Sequence, residues 1–190
     1  VLAAMGSVML LAVTNHVTQN VASVPFLWVL PLSLYLLSFV LTFDHPRWYQ
    51  RRLVIATVAL IVPAMAWLIP SLELKPAASV FFAGLFLACM FCHGELARMR
   101  PDPRYLTRFY LMIALGGALG AVAVAIVAPL TLRGYFEVNI ALVALALLVL
   151  VQLAGRWRLI GVAAAGVTAW FAVNGALEYA RDVRVMARDF

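Results

Sequence analysis

FYLMIALGGALGAVAVAIVA, from Phe109 to Ala128, carries no charged side chain and no proline. Its length suits the hydrocarbon core of a bilayer, which takes about 20 apolar residues as a helix. A barrel strand would alternate over about ten residues, whereas this run is continuous. A helix also pairs every backbone amide within its own segment, as lipid requires. Six further apolar runs flank it: Val1–Val13, Val21–Phe43, Leu53–Ile69, Ala77–Phe91, Val138–Ala154 and Leu159 to about Leu177. The expected fold is therefore all-α: a polytopic transmembrane helical bundle of about seven helices. The first run is short enough to read as truncated.

Composition agrees. The chain is 66% hydrophobic and 12% charged, with a mean hydropathy of +1.02; soluble domains average about 45–50% apolar and about 25% charged. A core of 190 residues cannot hide that much apolar surface from water. The net charge of +6 does not mark a nucleic-acid partner, because no face gathers arginines together with stacking aromatics. The chain starts Val-Leu-Ala-Ala, with neither an initiator Met nor a charged leader, and is expected to be cut from a longer protein.

Arginine and lysine bias sets the topology. Arg47, Arg51, Arg52, Arg98, Arg100, Arg104, Arg108, Arg156 and Arg158 fall on one side of the expected bundle, against Lys75 and Arg133 on the other. The first side is assigned to the cytoplasm, and Trp48, Tyr49, Tyr105 and Trp157 suit an interfacial belt there. With seven spans the tail emerges on the opposite side, although it carries Arg181, Arg184 and Arg188. Residues 1–180 read as a transmembrane domain and 181–190 as a juxtamembrane tail.

No nucleophile elbow, phosphate loop or paired carboxylate appears, and all eight acids lie in or beside expected loops. No cofactor is expected in the chain. Cys89-Met-Phe-Cys92-His93 matches the C-x-x-C-H pattern of haem attachment, but it ends an apolar run on the side assigned to the cytoplasm. Cys89, Cys92 and His93 are weak metal candidates, since no second cluster completes a site. Three further sets stand out. Asn15, His16 and Gln19 lie in a polar stretch that is either an exposed outer loop or the lining of a wet cavity at membrane depth. His93, Glu95, Arg98 and Arg100 lie in the long connection Cys92–Arg108, a solvated loop that also suits anionic headgroups or a docked soluble domain. Gly116 and Gly120 form a small-xxx-small pair for close helix packing. Pro25, Pro31 and Pro63 interrupt the second and third runs; such breaks serve packing in most membrane helices and line substrate sites in transporters.

Two segments carry a resemblance. Thr14-Asn15-His16 through Gln19 with Val24-Pro25-Phe26-Leu27-Trp28-Val29-Leu30-Pro31-Leu32-Ser33-Leu34-Tyr35-Leu36-Leu37-Ser38-Phe39, and Cys92-His93-Gly94-Glu95-Leu96-Ala97-Arg98-Met99-Arg100-Pro101 continuing to Tyr105-Leu106-Thr107 and Phe109-Tyr110-Leu111, with Leu115-Gly116-Gly117-Ala118-Leu119-Gly120, resemble the membrane region of bacterial membrane-fused spermidine synthase-like proteins. The resemblance is strongest over 14–48 and 92–120, and the tail Ala187-Arg188-Asp189-Phe190 is similar to the point where that family passes into its soluble domain. It implies a polyamine aminopropyltransferase-like domain in the same full-length chain, binding decarboxylated S-adenosylmethionine and a diamine. None of that domain's residues is present, so no catalytic position carries over. The function implied is a module of the bacterial cytoplasmic (inner) membrane, with the lipid bilayer and that soluble domain as partners. The alternative is a fragment of a polyamine or cation transporter.

Overall fold

The computed structural model describes residues 1–21, 26–69, 74–132, 136–153 and 157–186. Val24, Pro25, Arg133, Arg156 and residues 187–190, named above, lie outside the described residues. Among the described residues there is no strand, and the fold is an all-α bundle. Its helices are α1 (Leu2–Val21), α2 (Phe26–Asp44), α3 (Arg51–Leu68), α4 (Leu74–Arg98), α5 (Leu106–Val122), α6 (Glu137–Gln152) and α7 (Trp157–Met186). α5 runs on without a break through a π-helical turn, Ala123–Val127, and a last α-turn, Ala128–Thr131.

α4 is the central post, packed against α1, α2 and α3; α7 closes on α3 and α6, and α5 rests on α1. Met9 and Val13 of α1, Val58 and Met65 of α3, Phe81, Leu85 and Phe91 of α4, and Leu142 and Leu145 of α6 fill one apolar core. The joint between α1 and α5 is a small-residue contact. A side chain on Gly120 would run into the backbone of Ala4, and one on Gly116 would press on Ala3 Cβ. Contacts between helix ends set the direction of each. Gly6 lies against His93, while the His16 ring lies 4.6 Å from that of Phe81, so α1 and α4 are antiparallel. Arg51, opening α3, reaches the Gln152 carbonyl that closes α6. Gly161, early in α7, faces Leu150 and Leu153. The rings of Phe43, closing α2, and Tyr110, opening α5, are 6.1 Å apart. Thus α2, α4 and α6 finish, and α3, α5 and α7 start, at one end of the bundle, which is also the arginine-rich end.

Several expected boundaries move. The polar stretch Thr14–Asn20 is not a loop but the last turns of α1, which makes that helix 20 residues long. Thr14 and Thr18 return their hydroxyls to the carbonyls of Leu10 and Thr14, at 2.6 and 2.8 Å; polar side chains that satisfy themselves this way do not end a helix. Cys92–Arg98 is not a loop either, because α4 continues to Arg98. Pro129 does not stop α5, which continues to Thr131; the N–H that proline lacks is missing from the ladder just past the π-helical turn Ala123–Val127, where the regular α-helical bonding is already interrupted. α7 passes residue 180 in regular helix.

Among the described residues three segments are long and apolar enough to cross a membrane: Pro46–Leu68, Ala78–Arg98 and Pro103–Thr131. The last buries only 17% of its most apolar window. Leu111, Met112, Leu115, Leu119 and Leu130 stand exposed along it.

Candidate functional site

The polar chemistry of the bundle gathers at its arginine-rich end. Glu95 is buried in α4, one helical turn before the end, and three donors converge on its Oε1: Tyr49 Oη at 2.7 Å, Arg51 Nε at 2.8 Å and Arg98 Nη1 at 3.3 Å. Arg51 also donates through Nη2 to the Gln152 carbonyl at 2.8 Å. One carboxylate therefore joins the α2–α3 connection to α4, and one guanidinium joins both to the end of α6. Gly94 makes room for this clamp, because the Tyr49 ring occupies the place of its missing side chain.

A second polar joint lies on the same helix, two residues before Glu95. Ser38 Oγ is 2.7 Å from the Tyr35 carbonyl and 2.9 Å from His93 Nδ1. A serine hydroxyl has one proton. With that proton on the carbonyl, His93 Nδ1 carries the ring proton and donates to Ser38. The edges of Tyr35 and Phe39 pack on the His93 ring, at 4.8 and 5.2 Å between centroids. Cys89 and Cys92 are fully buried free thiols on the same helix. Among the described residues no group of three or more His, Cys, Asp or Glu side chains is arranged to hold a metal ion.

His93 and Glu95 were expected in a cytoplasmic loop with Arg98 and Arg100. They are instead buried helical residues, while Arg98 and Arg100 are exposed at the helix end. Glu95 also departs from the expectation that every acid lies in or beside a loop. Asn15 and His16 are half-buried and Gln19 is exposed, all near the C-terminal end of α1, at the opposite end of the bundle from Glu95. Gly116 and Gly120 lie against Ala3 and Ala4 of α1. Ser38 bonds both its own helix, at the Tyr35 carbonyl, and His93. Asn139 is buried, donating to the Ala172 carbonyl at 2.9 Å, with Oδ1 unpartnered. The sequence suggested Tyr49 for the interfacial belt and Arg51 for the cytoplasmic charge, not as partners of Glu95; Tyr49 is instead buried against it. The available signal was Glu95 itself, an acid continuing an apolar helical run through the good helix formers Leu96-Ala97-Arg98, which calls for cationic partners from a neighbouring connection.

Two short turns complete this end. His45-Pro46-Arg47-Trp48 and Asp102-Pro103-Arg104-Tyr105 each form a 3-10 turn leading into an outgoing helix. In each, the capping side chain accepts from the arginine backbone N–H at 3.1 Å: His45 Nδ1 from Arg47, and Asp102 Oδ1 from Arg104. Compared with family models, with curated proteins and with solved structures, the chain matches none.

Proposed function

We propose that this chain is an integral membrane module of the bacterial cytoplasmic membrane that anchors and serves a polyamine aminopropyltransferase-like soluble domain belonging to the same full-length polypeptide. The observation that carries the reading is the meeting of its two family-like segments. Ser38 and Tyr35, from residues 14–48, contact His93, from residues 92–120. Residues that resemble the family in sequence thus form one structural joint, and a shared joint is a physical reason for polar positions to recur in a fixed order among apolar ones.

Membrane residence is supported by three segments of spanning length and by large apolar side chains exposed on every outer helix, among them Leu36, Leu60, Trp67, Leu119 and Val151. Soluble monomers rarely expose contiguous apolar surface on that scale. Cation transport is the weaker reading, because the buried carboxylate Glu95 is already matched by Arg51 and Arg98.

The test is made on the natural full-length polypeptide. It is expected to remain in the membrane pellet after alkaline carbonate washing and, purified in detergent, to transfer an aminopropyl group from decarboxylated S-adenosylmethionine to a diamine. Release by carbonate refutes membrane residence. Retention without transfer, together with polyamine uptake into proteoliposomes, replaces the anchoring reading with the transport one.

A further inference from the structure

The turns His45-Pro46-Arg47-Trp48 and Asp102-Pro103-Arg104-Tyr105 are built alike although 57 positions separate them. Each places proline at the first turn position after a capping side chain. Each is closed by the backbone N–H of its aromatic residue on the carbonyl of the cap: Trp48 to His45 at 3.1 Å and Tyr105 to Asp102 at 2.9 Å. The polar backbone of each turn is thereby largely satisfied from within. What is left over is a guanidinium and an aromatic ring. Trp48 is 58% exposed and Tyr105 61%, and Arg47 and Arg104 are exposed beside them. Among the described residues only Arg51 and Arg98 form ion pairs, so neither turn arginine is neutralised. The Phe43 ring, just before the first turn, is 6.1 Å from that of Tyr110, just after the second, so both turns lie at the same end of the bundle.

We propose that these two Pro-Arg-aromatic turns are a paired anchor for the phosphate of anionic phospholipid headgroups. The proposal rests on the membrane reading above and adds a ligand to it. Arginine offers a planar fork that suits phosphate oxygens, where lysine offers a point charge. Tryptophan and tyrosine prefer the depth at which headgroups meet the acyl region. An acidic protein surface would satisfy the guanidinium but not the rest of the arrangement. Each turn adjoins an exposed apolar helix face, Leu53 on α3 and Leu111 and Met112 on α5, so the charge stands where apolar surface stops. That ordering of apolar face, ring and guanidinium matches a lipid read from tail to headgroup.

The test uses the full-length protein reconstituted in vesicles of phosphatidylcholine alone or with phosphatidylglycerol, then extracted, with retained lipids counted by native mass spectrometry. The wild type is expected to keep phosphatidylglycerol in preference to phosphatidylcholine. The double variant R47Q/R104Q is expected to lose that preference by about fivefold for each arginine, the weight of one basic residue at an anionic surface. R100Q/R158Q removes the same charge from the same end outside the turns and is expected to lose far less. Equal losses in the two double variants overturn the proposal in favour of diffuse charge. A preference untouched in R47Q/R104Q overturns it and leaves the turns to an acidic protein partner. A preference abolished equally by inorganic phosphate shows a free-anion site instead of a lipid anchor. If R47Q/R104Q does not fold, R47K/R104K decides, since charge kept without the fork must still weaken the preference. Failure to enter phosphatidylcholine vesicles at all is the separate failure of the membrane reading.

Discussion

At the scale of the residue, Glu95 and Asn139 show two outcomes of burying a polar group. Glu95 is a charge whose cost is offset by three converging donors, and removing the carboxylate leaves Tyr49 Oη and Arg51 Nε without their acceptor, while Arg51 Nη2 keeps the Gln152 carbonyl. Arg51 is partly exposed, so water screens some of that loss. Glu95→Ala is expected to destabilise the folded protein by about 2 kcal/mol, read as a lowered unfolding midpoint in detergent. Arg51→Ala in the same background should cost less than it does alone, because both changes break one interaction; full additivity in that cycle would show the clamp to be inert. Asn139 is the opposite case. Its Nδ2 bond goes to a helix carbonyl and its Oδ1 has no donor, so little net stability depends on its amide. Asn139→Leu is expected to shift the unfolding free energy by less than about 1 kcal/mol, interhelical polar contacts in membranes averaging about 0.6 kcal/mol.

Among elements, the contact of α1 with α5 is the one most dependent on residue size. α5 packs on α1 through Gly116 and Gly120 and is otherwise largely exposed. Gly120→Val puts branched carbons against the Ala4 backbone, which cannot yield as a flexible side chain would. The expected cost is about 2 kcal/mol or more, seen as early loss of α5 protection in hydrogen exchange. Gly166, in α7, has open space where its Cβ would stand, and Gly166→Ala should be neutral or slightly stabilising, alanine being the better helix former by about 1 kcal/mol. The pair forms an internal control: equal effects would mean that backbone entropy, not close approach, governs both sites. The same element-level view explains the misplaced ends of α1 and α4. Run length follows hydropathy, but a helix ends where backbone bonding ends, and neither the Thr14–Asn20 stretch nor Gly94 interrupts it.

Over the whole molecule, helix direction divides the side chains between two ends. Arg100 lies at the arginine-rich end, and Gln19 near the other. In sealed vesicles, cysteines introduced singly at Arg100 and Gln19 are expected to react with an impermeant maleimide from opposite sides. Native Cys89 and Cys92 are buried and should contribute little background. Labelling of both sites from one side would break the antiparallel scheme. The exposed apolar belt makes a second prediction at this scale: diluted out of detergent without lipid, the protein is expected to aggregate, in a sedimentation assay, instead of remaining monodisperse.

Long uncharged runs, few charges and segregated arginines were enough to determine an all-helical chain, its approximate number of helices and which connections share an end, because these depend on transfer of whole segments between solvents and not on any particular neighbour. Gly116 and Gly120 were legible for a related reason: the lack of a side chain is a local property that permits close approach whatever lies opposite. The partners were not legible. Nothing along the chain says that Ser38 meets His93, or that Tyr49 and Arg51 close on Glu95. Those pairs join residues 44 to 55 positions apart, and only the packing of α1, α2 and α3 around α4 brings them within bonding distance. The likeness of Pro46-Arg47-Trp48 and Pro103-Arg104-Tyr105 stands in the sequence, but only the tertiary structure shows that both turns lie at the same end of the bundle with their guanidiniums outside any ion pair.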